Sequence, residues 1–188
     1  YEHFLSAYDP EQRKAAGVYY TPAEIVKCQV SLADHIIRTR FGSGQTLGSE
    51  STTILDPAVG TGTYPLGIIE HVMAESEPAT YRSVANRLAK QLFAFELMVG
   101  PYAVANLRFV QRLRDFGLDP NEVNPNIYLT NTLISPKTDD EPVTLFSDLQ
   151  AELTEQRAAS DRVKRSDTRI QIVIGNPPYN NKYKMSKA

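Results

Sequence analysis

The chain of 188 residues carries a net charge of −2 and a single cysteine, and it opens on tyrosine rather than methionine. One cysteine excludes an internal disulfide, and no apolar run reaches the roughly 18 residues of a membrane span, so we expect a cytoplasmic protein without a membrane segment. The balanced charge provides no basic stripe of the kind that indicates nucleic-acid binding, and the opening residue suggests a piece of a longer polypeptide.

An N-terminal extension, residues 1–51, precedes the part of the chain in which strands are predicted. Thr21 and Pro22 form a typical helix start, with an N-cap hydroxyl and a proline in the first helical position. Apolar residues then recur at helical spacing, which predicts an amphipathic helix over 22–41. Its apolar positions are Val26, Val30, Ala33, Ile37 and Phe41. The polar, glycine-containing stretch 42–51 is typical of a connector.

Residues 52–188 alternate short β-type runs with helical patterns, which is typical of βαβ units and a parallel sheet. We therefore predict an α/β fold with helices on both faces of the sheet. The predicted elements, in chain order, are strand 52–55, helix 65–75, helix 81–90, strand 92–97, helix 99–116, strand 127–133, helix 147–160 and strand 170–174. The apolar face of the longest helix is predicted to comprise Val99, Ala103, Leu107 and Val110. Ligands of such sheets bind outside the carboxyl ends of the strands, and unusual residues follow all four predicted strands.

The stretch DPAVGTG, residues 56–62, follows the first predicted strand. Gly60 and Gly62 let the backbone approach a ligand closely and adopt positive φ angles. The spacing is neither GxGxxG nor a P-loop, and Asp56 places a carboxylate where a pyrophosphate would be repelled. An ammonium or sulfonium ligand suits this position better, while an ordinary strand–turn–helix connection is the alternative.

An acid and an amide follow the second and third predicted strands. Glu96 can accept hydrogen bonds from both ribose hydroxyls of a nucleotide cofactor. The alternative is that Glu96 only begins a helix, where the helix dipole favours a carboxylate. In the first case Leu97 would pack on an adenine ring. Asn131 offers a donor and an acceptor that suit an adenine edge, with a simple turn after the strand as the alternative.

The sequence NPPY, residues 176–179, follows the fourth predicted strand. Proline has no N–H group, so Pro177 and Pro178 end the strand and stiffen the backbone around Asn176. The Asn176 side chain and the Pro177 carbonyl then present two acceptors beside the flat ring of Tyr179. This arrangement suits a planar amine, although a turn without function also fits the pattern.

Five elements occur in one order along the chain: GVYYTP at 17–22, DPAVGTG at 56–62, Glu96, TNTL at 130–133 and NPPY at 176–179. Together they resemble the S-adenosylmethionine-dependent N6-adenine DNA methyltransferases, and their order resembles the gamma class found in restriction-modification enzymes. The opening YEHFLSAYDPEQRKAAGVYYTP further resembles the type ISP polypeptides, which are type I-like and fuse nuclease, helicase, methyltransferase and target-recognition parts. The resemblance covers nearly the whole chain.

The resemblance implies a Rossmann-like class I methyltransferase sheet, truncated here after its fourth strand and lacking a target-recognition domain. It implies S-adenosyl-L-methionine as the cofactor, double-stranded DNA as the partner of the full-length protein, and no metal. The cofactor-binding residues that it implies are Tyr20, Thr21, Pro22, Asp56, Pro57, Gly60, Gly62, Glu96, Leu97 and Asn131, the last at a position where the family commonly has aspartate. The catalytic residues that it implies are Asn176, Pro177, Pro178 and Tyr179. We expect this piece alone to be inactive.

Other functions stay open at this point. NPPY-type loops also suit methyl transfer to another planar nitrogen, in a protein glutamine or an RNA base. A non-catalytic fragment that only binds a nucleotide cofactor is a further alternative. A nicotinamide-dependent oxidoreductase is disfavoured by the missing third glycine and by Asp56 at the turn.

Two further sets of side chains receive structural interpretations. The three histidines do not show the spacing of metal ligands, so no metal site is predicted; they are His3, His35 and His71. Three arginines of the predicted helix 99–116 are interpreted as a solvated face rather than a DNA contact; they are Arg108, Arg112 and Arg114.

Overall fold

The computed structural model describes residues 21–42, 44–133, 149–165 and 168–178, so most of the predicted helix 147–160 and only the last part of the extension 1–51 lie within these ranges. The helices and strands within them are, in chain order, α1 (Ala23–Arg40), β1 (Ile54–Asp56), α2 (Thr63–Ala74), α3 (Tyr81–Gln91), β2 (Leu92–Glu96), α4 (Val99–Asp115), β3 (Asn126–Leu129), α5 (Leu149–Lys164) and β4 (Ile172–Val173). Short 3-10 helices at Pro78–Thr80 and Pro120–Glu122 precede α3 and β3. None of the helices in the described ranges is long and apolar enough to cross a membrane.

The four strands form one parallel sheet in the order β3-β2-β1-β4. Leu55 of β1 pairs with Phe93 of β2 on one side and with Val173 of β4 on the other. The chain thus proceeds outward from β1 to β2 and β3, then returns past β1 to form β4. Because parallel crossovers are right-handed, the returning helix lies on the opposite face of the sheet from the others. Consistent with this, α2, α3 and α4 contact one another, while α5 packs on β3. The predicted α/β fold is confirmed.

Helix α1 packs on α2 and contributes to the main hydrophobic core. Val26, Val30 and Ile37 are buried on one face of α1, as the helical spacing predicts. A Cβ built on Gly67 of α2 would lie 2.6 Å from Val26 Cγ1, so the glycine lets the two helices approach closely. Phe41 is exposed, contrary to the prediction, because the helix ends one residue before it.

The connector after α1 also reaches the core. Leu47 is buried in the same apolar cluster as Ile54 of β1. Its backbone N–H donates a hydrogen bond to the buried Asp34 of α1 (2.8 Å). The predicted boundary between residues 1–51 and 52–188 therefore separates segments that share one core, and it stays a prediction.

The buried face of α4 differs from the predicted one. The predicted stripe comprises Val99, Ala103, Leu107 and Val110, of which Val99 is 66% and Leu107 47% exposed. The helix instead buries a neighbouring stripe that comprises Ala105, Phe109 and Leu113. Both stripes contain apolar residues, and the second one carries a small residue where α4 meets the turn before α2. A Cβ built on Gly62 would lie 3.5 Å from the Ala105 Cα, an ordinary van der Waals distance, so the turn and α4 lie close together at this point.

Several elements begin or end a few residues away from their predicted bounds, and these differences bear on the site. β1 extends to Asp56, so its last carboxylate belongs to the sheet. α2 begins at Thr63 rather than at Pro65. Pro65 lies in the first turn, where the missing N–H removes no intrahelical hydrogen bond. β4 contains only Ile172–Val173, which is shorter than predicted.

Candidate active site

The ends of β1 and β4 lie side by side at the point where the strand order reverses. Leu55 pairs with Val173, and the Ile174 N–H donates to the Leu55 C=O (3.0 Å). Asp56 and Gly175 therefore meet directly, and a Cβ at residue 175 would overlap with the Asp56 carboxylate. Glycine at this position lets the two chain segments converge. In open parallel sheets this switch point is where ligands bind.

The Asp56 carboxylate is buried and only half satisfied. The residue is 2% exposed, and its Oδ1 accepts a hydrogen bond from the Ala58 N–H (3.1 Å). Its Oδ2 is buried without a hydrogen-bond partner among the described residues. Burial, with a smaller contribution from the negative charge of Glu96, raises the pKa of Asp56 to about 7. Because a buried carboxylate oxygen without a donor is costly, the site fits a cationic group that donates hydrogen bonds.

The turn after Asp56 adopts the backbone conformations that its glycines allow. Gly60 and Gly62 have φ angles of 55° and 90°, both in the left-handed region that favours glycine. The Val59 N–H donates to the Phe95 C=O (2.9 Å), which ties the turn to β2. We call residues 56–62 the glycine turn. It lies between β1, the end of β2 and the start of α2.

Glu96, at the end of β2, contacts the glycine turn. Its Oε2 accepts from the Gly60 N–H (2.8 Å), and its Oε1 accepts from the N–H groups of Leu97 and Met98 (2.9 Å each). Burial raises the pKa of Glu96, and these three hydrogen bonds oppose the rise. The carboxylate therefore holds the segment that leads into α4, as the helix-start alternative expects. Three of the four lone pairs of the carboxylate are thus engaged, which leaves one on Oε2 for a ribose hydroxyl, and the adjacent Leu97 is 66% exposed.

The end of β3 is joined to the glycine turn by a threonine that the sequence-based prediction did not select. The Thr132 hydroxyl donates to the Pro57 C=O (2.5 Å). The preceding Asn131 forms a turn in which its Oδ1 accepts from the Leu133 N–H (3.0 Å), and Lys164 donates to the Asn131 C=O (2.8 Å). Asn131 thus lies at the predicted edge of the sheet, with its side-chain oxygen engaged in a turn. Its contact with adenine stays a prediction.

The first and last predicted motifs meet at Asn176. The Asn176 Nδ2 donates to the Thr21 Oγ1 (3.0 Å), although the two residues are 155 positions apart in sequence. Pro22 is the N-cap residue of α1, so the start of this helix carries the Thr21 hydroxyl to the edge of the sheet. The N-terminal extension therefore contributes directly to the candidate site.

The structure describes some of the other predicted residues of these two motifs and not others. Pro177 and Pro178 follow Asn176 and are exposed. Tyr20 and Tyr179 lie outside the described ranges. The closing role of Tyr20 and the stacking role of Tyr179 therefore stay predictions.

Arg108 of α4 makes a second contact with the glycine turn that sequence reasoning missed. Its Nη1 donates to the Thr61 C=O (2.7 Å) and lies 3.3 Å from the Thr61 Oγ1. The prediction of a solvated face is thus wrong for this arginine. Helical spacing alone does not reveal the contact, because Thr61 precedes Arg108 by 47 residues.

A second group of charged side chains joins α1 to α2, and we call it the ion-pair cluster. Ligand atoms of Asp34, His71 and Glu75 lie within 4.8 Å of one another, beside a cavity of about 190 Å³. Arg38 pairs with both carboxylates, with its Nε 2.6 Å from the Asp34 Oδ2. The guanidinium already supplies the positive charge that these carboxylates need. The spacing of histidines in the sequence could not reveal this cluster, because two helices supply its members.

The family model described as N-6 DNA Methylase matches residues 1–188. Three solved structures are similar to the chain over most of its length. A cryo-EM structure of a DrdV–DNA complex has 28% identity and a TM-score of 0.68, covering 96% of this chain and 16% of that one. A nuclease-deletion mutant of the type ISP restriction-modification enzyme LlaGI, in complex with a DNA substrate mimic, has 25% identity and a TM-score of 0.69, covering 95% and 14%. The ATP-dependent type ISP enzyme LlaBIII, bound to DNA, has 27% identity and a TM-score of 0.68, covering 89% and 11%.

These similarities connect the strand-end geometry to a family. Among curated proteins, no match to the sequence was found. The chain spans 11–16% of the three related chains, so it corresponds to a small part of each. The family match nevertheless includes every residue, and the parallel sheet brings Asp56, Glu96 and Asn176 to one edge. The chain belongs to the N-6 DNA methylase family.

Proposed function

We propose that the chain forms the cofactor pocket and catalytic loop of a DNA (adenine-N6)-methyltransferase within a larger restriction-modification polypeptide. The observation that carries the proposal is the buried Asp56 Oδ2, which has no partner among the described residues and lies at the switch point of the sheet. Asn176 follows Gly175, which touches the same carboxylate. A cation-binding group and an amide acceptor are therefore adjacent, as methyl transfer from a sulfonium cofactor requires.

The residues at the glycine turn suit S-adenosylmethionine. The Asp56 Oδ2 accepts hydrogen bonds from the ammonium of the methionine part, which restores the missing partner. The free lone pair on Glu96 Oε2 would accept from a ribose hydroxyl, and the exposed Leu97 would pack on the adenine. Thr21 and Pro22 close over the methionine end. When bound, S-adenosylmethionine supplies an electrophilic methyl group on a sulfonium.

The catalytic loop acts on the adenine amino group. This nitrogen is a poor nucleophile because its lone pair is delocalised into the ring. Asn176 Oδ1 and the Pro177 C=O would accept hydrogen bonds from its two N–H groups, draw the hydrogens out of the ring plane and stabilise the positive charge that develops on nitrogen during in-line attack. The new N–C bond replaces the S–CH3 bond of the donor, and the methylated nitrogen then loses one proton to water. The hydrogen bond to Thr21 holds the Asn176 amide in position. Tyr179 stacks on the adenine after it has been flipped out of the duplex.

Family membership supports double-stranded DNA as the substrate. Each of the three similar structures, of DrdV, LlaGI and LlaBIII, contains DNA or a DNA substrate mimic. We propose that this chain reaches DNA in the cytoplasm as part of a polypeptide of comparable architecture. Because it corresponds to 11–16% of those chains, we expect these 188 residues to bind the cofactor without methylating DNA by themselves.

Isothermal titration calorimetry with S-adenosylmethionine and with NAD tests the cofactor assignment. We expect a one-to-one heat signal with the first ligand and none with the second, because Asp56 repels a pyrophosphate. Preferential NAD binding would contradict the proposal. Transfer of a labelled methyl group by the longer polypeptide then identifies the acceptor, and labelling of RNA or protein instead of DNA would replace the proposed substrate.

A further inference from the structure

We infer that Arg108 is a positioning residue that fixes the glycine turn in the conformation that binds the methyl donor. The inference rests on the proposed function, since it assigns a role within the same pocket. Its basis is the contact between the Arg108 guanidinium and the backbone carbonyl of Thr61 (2.7 Å). Hydrogen bonds from a charged donor are about twice as strong as neutral ones.

Thr61 occupies the part of the turn that most needs an external contact. It lies between Gly60 and Gly62, whose φ angles are 55° and 90°. Glycine has the largest conformational freedom of any residue, so two glycines around one residue leave its peptide planes weakly restrained. A second contact at 3.3 Å, to the Thr61 Oγ1, orients the same residue.

The turn is held from two sides, and Arg108 provides one of them. On the β2 side, the Val59 N–H donates to the Phe95 C=O (2.9 Å) and the Gly60 N–H donates to Glu96 (2.8 Å). On the α4 side, Arg108 donates to the carbonyl of Thr61, the residue after Gly60. The Gly62 N–H of the same peptide donates to the Val59 C=O (2.9 Å), so removing Arg108 leaves the Thr61–Gly62 peptide with that one hydrogen bond, while the strands that flank the turn stay paired.

Arg112, one helical turn further along α4, offers a matched control. Its guanidinium pairs with Glu70 of α2, with Nη2 2.6 Å from Oε2, and with Asp115 (3.4 Å). This arginine joins α4 to α2, the helix that follows the turn, without contacting the turn through those bonds. Replacing it therefore tests whether any loss of contact between α4 and the α2 region weakens cofactor binding.

The experiment measures S-adenosylmethionine affinity by calorimetry and thermal unfolding by circular dichroism, on the 188-residue chain and four variants. We expect Arg108→Ala and Arg108→Gln each to raise the Kd about tenfold, the loss of a charge-assisted hydrogen bond. Arg108→Lys keeps a charged donor and should recover part of the affinity. Arg112→Ala should lower the midpoint of unfolding at least as much as Arg108→Ala, with the Kd unchanged.

The outcomes separate this inference from the proposed function. If the unaltered chain does not bind S-adenosylmethionine, the proposed function and the inference both fail. If the unaltered chain binds and the Arg108 variants bind equally well, only the inference fails. It also fails if Arg112→Ala raises the Kd as much as Arg108→Ala, because the contact would then act through helix packing alone. If Arg108→Ala does not fold, Arg108→Gln, which retains a long side chain, takes its place in the affinity measurement.

Discussion

Two aspartates are almost equally inaccessible to solvent, yet their surroundings shift the pKa values of the two carboxylates in opposite directions. Asp34, in the ion-pair cluster, is 3% exposed, and Asp56, at the switch point, is 2% exposed. Burial alone would raise the pKa of Asp34, but hydrogen bonds from the Leu47 N–H and Arg38, together with the nearby His71, lower it overall. At Asp56, burial dominates and raises the pKa to about 7.

The difference separates a carboxylate that stabilises the fold from one that is available to a ligand. Asp34 receives its donors and its counter-charge from the chain itself, across α1, α2 and the connector. Asp56 receives one backbone N–H, and its second oxygen has no partner in the described part of the chain. Solvent exposure therefore does not distinguish the two roles, whereas the depth of burial and the number of hydrogen-bond donors do. The following predictions test this distinction.

The largest effect is expected at the catalytic loop. In the longer polypeptide, Asn176→Ala should lower the methylation rate by about 10²–10³, the usual cost of removing one well-placed polar group from a developing charge. S-adenosylmethionine affinity should be unchanged, because the cofactor pocket is intact. Asn121→Ala, in an exposed turn, is the control and should retain full activity. Single-turnover transfer of a labelled methyl group measures both, and a normal rate in Asn176→Ala would exclude the proposed mechanism.

The next largest effect is on the free energy of unfolding, which substitution of Asp34 should lower and substitution of Asp56 should not. Asp34→Asn should lower the free energy of unfolding by about 2 kcal/mol at pH 7.5, because it breaks a largely buried ion pair with Arg38. Asp56→Asn should leave the stability unchanged or increase it, because it removes a buried charge that lacks a partner. Urea unfolding measures both values. Equal destabilisation by the two substitutions would remove the distinction between them.

A smaller effect is expected from pH. As pH falls from 7 towards 6, Asp56 takes up a proton, so S-adenosylmethionine affinity should decrease by up to about tenfold. The ligand-free protein should respond with the opposite sign. Since the folded pKa lies above the ordinary 3.8, the stabilisation from Asp56 is fully present below about 4 and is lost as pH rises through about 7. Both trends should disappear in Asp56→Asn, and persistence of either would assign it to another group.

Local patterns predicted the elements and the edge of the sheet where the site lies. The alternation of apolar runs with helical spacing located each strand, and the residues after Asp56 and before Asn176 marked the strand ends. Parallel pairing then brings these ends together, because all carboxyl ends of such a sheet share one edge. The resemblance of the five motifs to one family is confirmed by the family match over residues 1–188.

Contacts between distant segments were the part that could not be predicted. The apolar stripe of α4 was misassigned because two stripes of the helix are apolar, and only packing against the rest of the chain selects the stripe of Ala105, Phe109 and Leu113. The contacts of Arg108 with Thr61 and of Thr132 with Pro57 join residues that are far apart in sequence. They depend on the tertiary arrangement of the strands and helices, which the local spacing of residues does not reveal.

The central claim is that the Asp56 Oδ2 binds the ammonium of the methionine part of the cofactor. S-adenosylmethionine and 5′-methylthioadenosine share the adenosine, but only the first carries the charged methionine part with its α-ammonium group. Calorimetry of both ligands against the unaltered chain and Asp56→Asn therefore isolates the contact of Asp56 with that part. We predict that the substitution weakens S-adenosylmethionine about 30-fold and leaves 5′-methylthioadenosine affinity nearly unchanged. An equal loss for both ligands, or no loss for either, would contradict the claim.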